Sequence, residues 1–359
     1  MKRVLLFFLF ATSLLCVCAL STFADTSKFV LPRDGKFYVE AKPVLKFKAT
    51  LTERWVNPDV GEGTLYVFAP VLPELPEQRK VSTLLQVRGN DKLKAEEVVE
   101  EGVDKRPMLR LCIDSNEMSP KSGRTLQLEY KGILYARTLK LGKAPKVVPE
   151  LTEYERRQYL AASVTMDHND SEFLRWMNEN GLKRRGDEDA MQFAHRVFSY
   201  FIENGKYGGD TSCYEARRPS RVCKSFASDC GGFALLFVAV MRANDVPSRT
   251  LFGRWAIQQT DEYGQYHVMA EFFVEKSGWV PVDIAGTIVH KPKDPNAFFG
   301  SADGRFIVFH VDTDLEPSKG FCHAWAQYML LQWSGEGDFW KGHQLNSKWD
   351  VQCHPLTGR

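Results

Sequence analysis

The sequence predicts an α+β protein in which an all-β sandwich precedes a region of helices packed on an antiparallel sheet. Residues 37–141 contain runs in which apolar and polar side chains alternate, as in half-buried strands. Residues 152–244 carry apolar side chains at three- and four-residue intervals, as in amphipathic helices. Segments typical of strands return between residues 249 and 284.

The first region contains the short, regularly spaced strands that are typical of a β-sandwich. Leu45, Phe47, Ala49 and Leu51 alternate with polar residues, and similar runs predict strands over 64–68, 81–87, 108–113, 125–130 and 133–139. The region contains no histidine, and its one cysteine is Cys112. We therefore expect a sandwich domain over 28–142 with a structural, docking or substrate-presenting role.

Helix breakers between Gly142 and Pro149 separate this region from a helical one, so a second domain is expected over 150–359. Thr152 and Glu155 have the spacing of a capping box, which predicts a helix that starts there. Two more helices are predicted, over 171–180 and 189–205. Together they would build the core around the residues that follow.

The chemistry of the sequence centres on Cys230, which opens a predicted helix. Asp229 can cap this helix, and Gly231 lets another backbone come close. The positive end of the helix dipole favours a thiolate at this position. Cys230 shares one helical face with the apolar residues Phe233, Leu236, Phe237, Val240 and Met241. Cys230 is therefore a candidate nucleophile, although an unpaired cysteine often only packs in a core.

A thiolate nucleophile needs a proton donor for the leaving group, and His267 is the candidate. His267 begins a predicted strand, and Asp283 lies on the strand that returns. A turn centred on Glu275 would place Asp283 directly opposite His267, and one centred on Ser277 would shift it along the same face. A loop of even length would put the two on opposite faces unless a bulge intervened. The spacing therefore permits a Cys-His-Asp triad without requiring one.

The order of a helix-borne cysteine, a strand histidine and an aspartate on the next strand resembles the transglutaminase-like core of the papain-like cysteine enzymes, in a bacterial exported form. The resemblance extends over residues 189–284, and its motifs are Asp229-Cys230-Gly231-Gly232-Phe233-Ala234, residues 241–249, His267 with Glu271, and residues 278–283. The chain departs from the family pattern at Met269, Asn244-Asp245 and Gly286. These departures leave the triad residue types in place and substrate choice open.

The resemblance implies a thiol acyltransferase that acts on protein or peptide carboxamides through a thioester on Cys230. His267 would be the general acid and base, and Asp283 would orient it. The backbone N–H of Cys230, next to Asp229 and Gly231, would bind the oxyanion. A lysine amine would resolve the thioester into a cross-link, whereas water would make the protein a peptidase or amidase. Two hypotheses of a different kind stay open: a non-catalytic binding scaffold, and a redox-regulated enzyme with a reversible Cys223–Cys230 disulfide.

The N-terminus has the pattern of a secretory signal peptide over 1–24. Two basic residues precede an apolar run from Val4 to Leu20, and small residues follow as cleavage sites. We therefore expect a secreted or periplasmic protein, with an uncleaved N-terminal anchor as the alternative. An exported chain oxidises most of its cysteines. The pairs that lie within one local segment are Cys213 with Cys223 and Cys322 with Cys353.

Charge and residue spacing give no sign of other partners. The chain has 47 basic and 45 acidic side chains, and the predicted leader contributes two of the basic ones, so the mature chain is balanced. We therefore expect no nucleic-acid partner, no membrane contact beyond the leader, and a protein or peptide substrate. No metal is expected, because the histidines after His267 lack ligand spacing. Calcium serves some relatives, but nothing in this sequence indicates a cofactor.

The C-terminal residues contain a predicted strand over 306–311 and then aromatic residues at helical spacing. Trp325, Tyr328, Met329 and Trp333 follow this spacing and are expected in the core. The alternative is a groove for sugar or peptide lined by Trp333, Trp340 and Trp349. The oligomeric state is left open.

Overall fold

A computed structural model of the chain describes residues 36–56, 61–117, 124–144, 147–258, 265–337, 339 and 344–356. These residues belong to one compact unit, Leu31–Arg359. The predicted signal peptide, residues 1–24, lies outside the described residues.

The chain begins with strands only. They are β1 (Phe37–Val56), β2 (Gly63–Pro70), β3 (Gln78–Val87), β4 (Glu96–Val99), β5 (Pro107–Asp114) and β6 (Arg124–Leu141). Helices and two short strands follow, namely α1 (Glu153–Gln158), α2 (Ser171–Glu179), α3 (Ala190–Asn204), β7 (Lys206–Tyr207), α4 (Pro219–Ser225), β8 (Ala227–Ser228) and α5 (Cys230–Arg242). The rest of the chain forms β9 (Ser248–Trp255), β10 (Tyr266–Val274), β11 (Gly278–Val282), α6 (Ile284–His290), β12 (Ser301–Ala302), β13 (Phe306–Val311), β14 (Leu315–Ser318), β15 (Phe321–His323), β16 (Leu330–Gly335) and β17 (Gln344–Pro355).

The predicted α+β class is confirmed, with two antiparallel sheets that share one apolar core as a sandwich. One sheet has the order β12-β6-β1-β17, with β3 also paired to β6, and the other has the order β16-β2-β5-β4. Leu51 and Leu128 from the first sheet and Val67 and Leu111 from the second are buried in the same cluster. The runs 125–130 and 133–139 are one strand, β6, because β1 pairs with it along nearly its whole length.

The end of the chain returns to this sandwich. β17 pairs with β1, and β16 pairs with β2. The domain boundary between residues 142 and 150 stays a prediction. Strands that precede it in the chain pair with strands that follow it. Trp349 of β17 lies 5.8 Å from Phe309 and 6.4 Å from Tyr130, ring centre to ring centre. Residues from both ends of the chain therefore fill one core.

The helical spacing of Trp325, Tyr328, Met329 and Trp333 does not correspond to a helix, because residues 330–335 form strand β16. Trp333 pairs with Leu65 of β2, and Leu330 pairs with Phe68. A short apolar run fits helical spacing and strand spacing equally well. The open edge of β2, more than 250 residues earlier in the chain, supplies the hydrogen bonds that decide between them.

The second part packs helices on a four-stranded antiparallel sheet with the order β11-β10-β9-β13. Helix α5 lies at its centre, with every residue from Gly231 to Arg242 buried. Phe237 of α5 lies 6.1 Å from Phe201 of α3 and 6.3 Å from Phe272 of β10. The capping box of Thr152 and Glu155 is present at the start of α1, as predicted.

A buried ionic network joins the sandwich to this sheet. Arg137 of β6 lies 2.6 Å from the Glu271 carboxylate of β10 and 3.0 Å from Glu77. Arg249 of β9 holds the other oxygen of Glu271 at 2.5 Å, and its guanidinium lies 3.9 Å from the ring centre of Trp279. Burial raises the pKa of Glu77 to about 7, and the negative charge of Glu271 adds to the rise. Burial also opposes ionisation of Glu271, but Arg249 and Arg137 outweigh it and lower its pKa.

We expect Arg137→Met to reduce the free energy of unfolding by about 3–5 kcal/mol, because it leaves two buried carboxylates that share one cation. Urea denaturation followed by tryptophan fluorescence measures this. Lys42→Met on the same sheet is the control, since Lys42 forms an exposed pair with Glu40 and its removal should change stability little. Equal effects of the two substitutions would show that the network does not stabilise the junction.

Candidate active site

Cys230 occupies the first position of α5, where the preceding residue holds the helix start in place. The Asp229 Oδ1 atom accepts a hydrogen bond from the backbone N–H of Gly232 at 3.1 Å. Its Oδ2 atom is held by the Arg217 guanidinium at 2.7 and 2.8 Å. A side chain at Gly231 would have its Cβ atom 3.3 Å from Arg217 Cδ. Arg217 therefore fixes the cap and closes the space beside the thiol.

The loop between β10 and β11 decides where Asp283 lies. Val274 pairs with Gly278, so the loop is centred on Lys276, midway between the two turn positions considered from sequence. By the same register Asp283, directly after β11, falls opposite Met269 and therefore on the same side of the sheet as His267. His267 Nε2 lies 2.8 Å from Asp283 Oδ2.

Asp283 is held by the helix that it caps. Its Oδ1 atom accepts a hydrogen bond from the backbone N–H of Gly286 at 2.8 Å, at the start of α6. A Cβ atom at Gly286 would lie 2.6 Å from Asp283 Oδ2. Gly286 is one of the positions at which the sequence departs from the family pattern. The absence of a side chain there leaves room for the Asp283 carboxylate to reach His267.

The site holds a buried charge pair. Burial alone would lower the pKa of His267, but the Asp283 carboxylate and its hydrogen bond raise that pKa to about 10, with a further contribution from the adjacent Cys230 side chain. Burial likewise opposes ionisation of Asp283, and the charge of His267 outweighs it and lowers the pKa of Asp283. The ring of His267 is also held by Trp255 at 5.2 Å and by Phe306 at 6.0 Å. The raised pKa favours the imidazolium form of His267, and the ring contacts fix its orientation.

Cys230 and His267 line one cavity of about 330 Å³, together with Asp229 and Gly231. The structure thus brings together the five site residues singled out from sequence. Asp283 lies behind the cavity and contacts its histidine. A larger cavity, of about 1130 Å³, is bordered by Lys36, Val148 and Arg156, and none of the described residues around it is a cysteine or histidine.

Several residues of this cavity are not among those predicted from sequence, notably Tyr207, Arg217 and Trp325. Trp325 is 7 % exposed and stacks on Phe252 at 5.2 Å, so its expected burial holds while its role as a wall of the site was missed. Tyr207 is 50 % exposed and follows closely after α3. The sequence gives no sign of this role, because the exposure of Tyr207 and its place beside Cys230 are set by the fold.

Neither predicted disulfide is present in the structure, in which all six cysteines after the leader are free. Cys322 lies on β15 and Cys353 on β17, which belong to different sheets. Cys353 Sγ instead lies 3.2 Å from the carbonyl oxygen of Ala256. Cys213 is exposed, whereas Cys223 is buried in α4, and burial raises the pKa of Cys223 to about 11. A reversible Cys223–Cys230 bond stays a hypothesis.

The described residues were also compared with the requirements of a metal site and of a membrane-spanning helix. Across the described ranges, no three His, Cys, Asp or Glu side chains converge in a way that could hold a metal ion. No helix within those ranges is long and apolar enough to cross a membrane.

The segment around Cys230 is similar to a known protein family. Residues 180–284 match the family described as the transglutaminase-like superfamily. This segment is similar to a transglutaminase-like core. It includes α5 and the three strands β9, β10 and β11, and therefore all of the site residues named from sequence.

Two solved structures are similar to the chain as a whole. A protein from Cytophaga hutchinsonii, named provisionally as a cysteine protease, is 14% identical with a TM-score of 0.53, over 89% of this chain and 94% of that one. The periplasmic domain of TgpA from Pseudomonas aeruginosa is 10% identical with a TM-score of 0.34, over 72% of this chain and 96% of that one. The first likeness shows that the two chains share an overall fold. No curated protein sequence matches the chain.

We expect the His267 ring to stay protonated through neutral pH and to titrate near pH 10 in NMR spectra of ring-labelled protein. In Asp283→Asn the midpoint should fall by at least about two pH units, because the carboxylate charge is lost and burial remains. His267→Gln assigns the signal, and Asp187→Asn, at an exposed loop, is the control. An unchanged midpoint in Asp283→Asn would contradict this electrostatic account.

The same shift sets the pH dependence of stability. Because the pKa of His267 in the folded chain lies above its ordinary value of 6.5, protonated His267 contributes its full stabilisation below pH 6.5, down to the acidic range in which Asp283 takes up a proton. This contribution is lost as the pH rises from 6.5 through 10. Denaturation of the wild type and of Asp283→Asn at a series of pH values should therefore converge at the alkaline end.

Proposed function

We propose that this protein is a thiol acyltransferase that acts on carboxamides of proteins or peptides, with Cys230 as the nucleophile. His267 serves as general acid and base, and Asp283 orients it. The observation that carries the proposal is the 2.8 Å contact of His267 with Asp283 at the wall of the cavity that Cys230 lines. Export, which the predicted leader implies, is part of the proposal.

The charges of the site support the order of steps. His267 uses Nε2 for Asp283, so Nδ1 is the ring nitrogen left to serve Cys230 and the substrate. The thiolate attacks the carbonyl carbon, and the imidazolium gives its proton to the departing ammonia or amine. A thioester and a neutral imidazole result. The imidazole then takes a proton from the incoming amine or water as it attacks the thioester, and the thiolate leaves.

The proposal assigns two donors to the oxyanion. The first is the backbone N–H of Cys230 at the start of α5. The second is the hydroxyl of Tyr207, against which the backbone of Cys230 lies. Burial raises the pKa of Tyr207 to about 12, helped by the negative charges of Cys230, Asp229 and Asp283, so the hydroxyl keeps its proton and can donate it. Tyr207 is thus the second oxyanion donor of the proposal.

One observation favours hydrolysis as the alternative outcome. Tyr207, which borders the thiol, is 50 % exposed, so water reaches the edge of the site. A peptidase or amidase uses the same residues and the same thioester, with water as the second nucleophile. No described feature favours a non-catalytic scaffold, and the buried His267–Asp283 pair costs desolvation that a mere scaffold does not require.

The direct test follows incorporation of a dansylated primary amine into a glutamine-rich protein, together with ammonia release, in mildly reducing buffer with and without calcium. We expect turnover by the mature wild-type protein and a loss of at least about 10³-fold in Cys230→Ala. Cys213→Ala, which removes an exposed thiol from the neighbouring loop, is the matched control. Incorporation would establish a transglutaminase, and ammonia without incorporation a hydrolase. Absence of both would overturn the proposal.

For Tyr207→Phe we expect kcat to fall about 10²-fold with little change in KM, because the hydroxyl acts on charge that develops only in the transition state. Tyr214→Phe is the control, since Tyr214 is 42 % exposed and contacts the edge of Trp325 at 4.6 Å. A rise in KM alone would instead make Tyr207 a substrate-binding residue.

A further inference from the structure

The carboxylate of Asp229 makes two separate contacts, and only one of them belongs to the helix. Its Oδ1 atom caps α5 by accepting the backbone N–H of Gly232 at 3.1 Å. A cap needs one acceptor atom, and serine or asparagine supplies it about as well as aspartate, without a charge. The Oδ2 atom binds Arg217 instead. The ion pair with Arg217 is therefore additional to the cap.

A negative charge at Asp229 opposes a second one on the neighbouring thiol. Asp229 directly precedes Cys230, and like charges close together resist joint ionisation. Burial, followed by the negative charges of Cys230, Asp229 and Asp283, raises the pKa of Tyr207, so all three anionic groups lie near one hydroxyl. An unbalanced Asp229 carboxylate thus favours the neutral thiol, which is the unreactive form.

Arg217 supplies the balancing charge. Its Nε and Nη2 atoms lie 2.8 and 2.7 Å from Asp229 Oδ2. The two side chains are only 16 % and 22 % exposed, so solvent screens the pair in part. The guanidinium stays charged across the pH range in which thiol enzymes work. Arg217 and Asp229 together therefore add no net charge beside the thiol.

The same balance holds for the cavity as a whole. Its titratable and charged lining residues are Tyr207, Arg217, Asp229, Cys230, Tyr266 and His267, and Asp283 lies behind it. His267 pairs with Asp283 as Arg217 pairs with Asp229. Tyrosine carries no charge at neutral pH. Among these residues, a thiolate on Cys230 is thus the one charge in excess.

The position of Arg217 is fixed from further sides. Its Nη1 atom donates to the carbonyl oxygen of Cys213 at 3.0 Å. Its guanidinium carbon lies 5.7 Å from the ring centre of Trp325, another wall of the cavity. A planar guanidinium serves these partners and Asp229 at once, whereas the single ammonium of a lysine cannot. The loop before α4, the cap and the cavity wall therefore meet at one side chain.

We infer that Arg217 is a positioning residue of the reaction, which holds and neutralises the Asp229 carboxylate so that Cys230 can carry the thiolate charge. Arg217 acts through Asp229 and is assigned no contact with the reacting atoms. The inference rests on the proposed role of Cys230 as the nucleophile. It adds an arginine from the loop before α4 to the residues on which the reactivity of the thiol depends.

The test measures alkylation of Cys230 by iodoacetamide over a series of pH values, by mass spectrometry of the peptide that contains it. The exposed thiol of Cys112, on the sandwich, is the internal reference. For Arg217→Gln we expect the pH of half-maximal rate to rise by about one unit, a loss of about tenfold on the acidic side. Arg217→Lys keeps the charge and should shift the profile less.

The matched control is Arg218→Gln. Arg218 is the next residue and also forms an ion pair, with Asp167 at 2.9 Å, but it does not line the cavity. Its substitution should leave the alkylation profile of Cys230 unchanged. A shift as large as that of Arg217→Gln would mean that any damage to this loop acts on the thiol, and would overturn the inference.

A second substitution separates charge from structure. Asp229→Asn keeps an oxygen that can cap α5 and removes the carboxylate charge. In the double variant Arg217→Gln/Asp229→Asn neither charge remains, so we expect a profile close to that of the wild type. A merely structural role predicts that the double variant reacts no faster than Arg217→Gln. That result, or an unshifted profile in Arg217→Gln, would contradict the inference.

Asp229→Asn alone decides the matter if Arg217→Gln does not fold, judged by its melting temperature. Arg217 then keeps its charge without its partner, so the pH of half-maximal rate should fall, and an unchanged value would reject the inference. Alkylation needs no turnover, which separates the two proposals. Shifted profiles without turnover of any amide would retain the role of Arg217 and reject the acyltransferase, whereas turnover with unshifted profiles would do the reverse.

Discussion

The position of His267 depends on a buried network of two arginines and two glutamates. Arg137 comes from the sandwich, whereas Glu271 and Arg249 come from adjacent strands of the sheet that carries the candidate site. Glu271 lies on β10, the strand that carries His267 at its other end. Charges buried this deeply tolerate few arrangements, because each needs its partner at contact distance. The network therefore holds β10 in one position against the sandwich, and with it His267.

The candidate site also contains a pair of buried opposite charges, those of Asp283 and His267. Asp283 and His267 are each too buried to carry a charge alone, and each stabilises the charge of the other. Two helix starts contribute as well, since Asp229 caps α5 and Asp283 caps α6. The same carboxylate that binds the histidine is thus fixed by the backbone N–H of Gly286. The arrangement needs no movement to assemble before a substrate enters.

The sandwich and the helical part of the chain are structurally interdependent. Its sheets take strands from both ends of the chain, with β17 beside β1 and β16 beside β2. The segment between β13 and β16 brings Trp325 to the cavity of Cys230 on its way back to the sandwich. The region in which the sequence shows no chemistry therefore holds in place a wall of the site. Folding of the two parts is coupled through this return path.

The sequence by itself determined the features that depend on neighbours within a few turns of chain: the helix that begins at Cys230, its cap at Asp229, and the capping box of Thr152 and Glu155. It also identified His267 and Asp283 as candidates by residue type. Only the tertiary structure decided that a turn centred on Lys276 brings them together, that residues 330–335 form a strand, and that Tyr207 borders the thiol. Register, strand choice and cysteine pairing depend on which distant edges and side chains meet. A local pattern carries no information on those encounters, because one spacing suits several partners equally well.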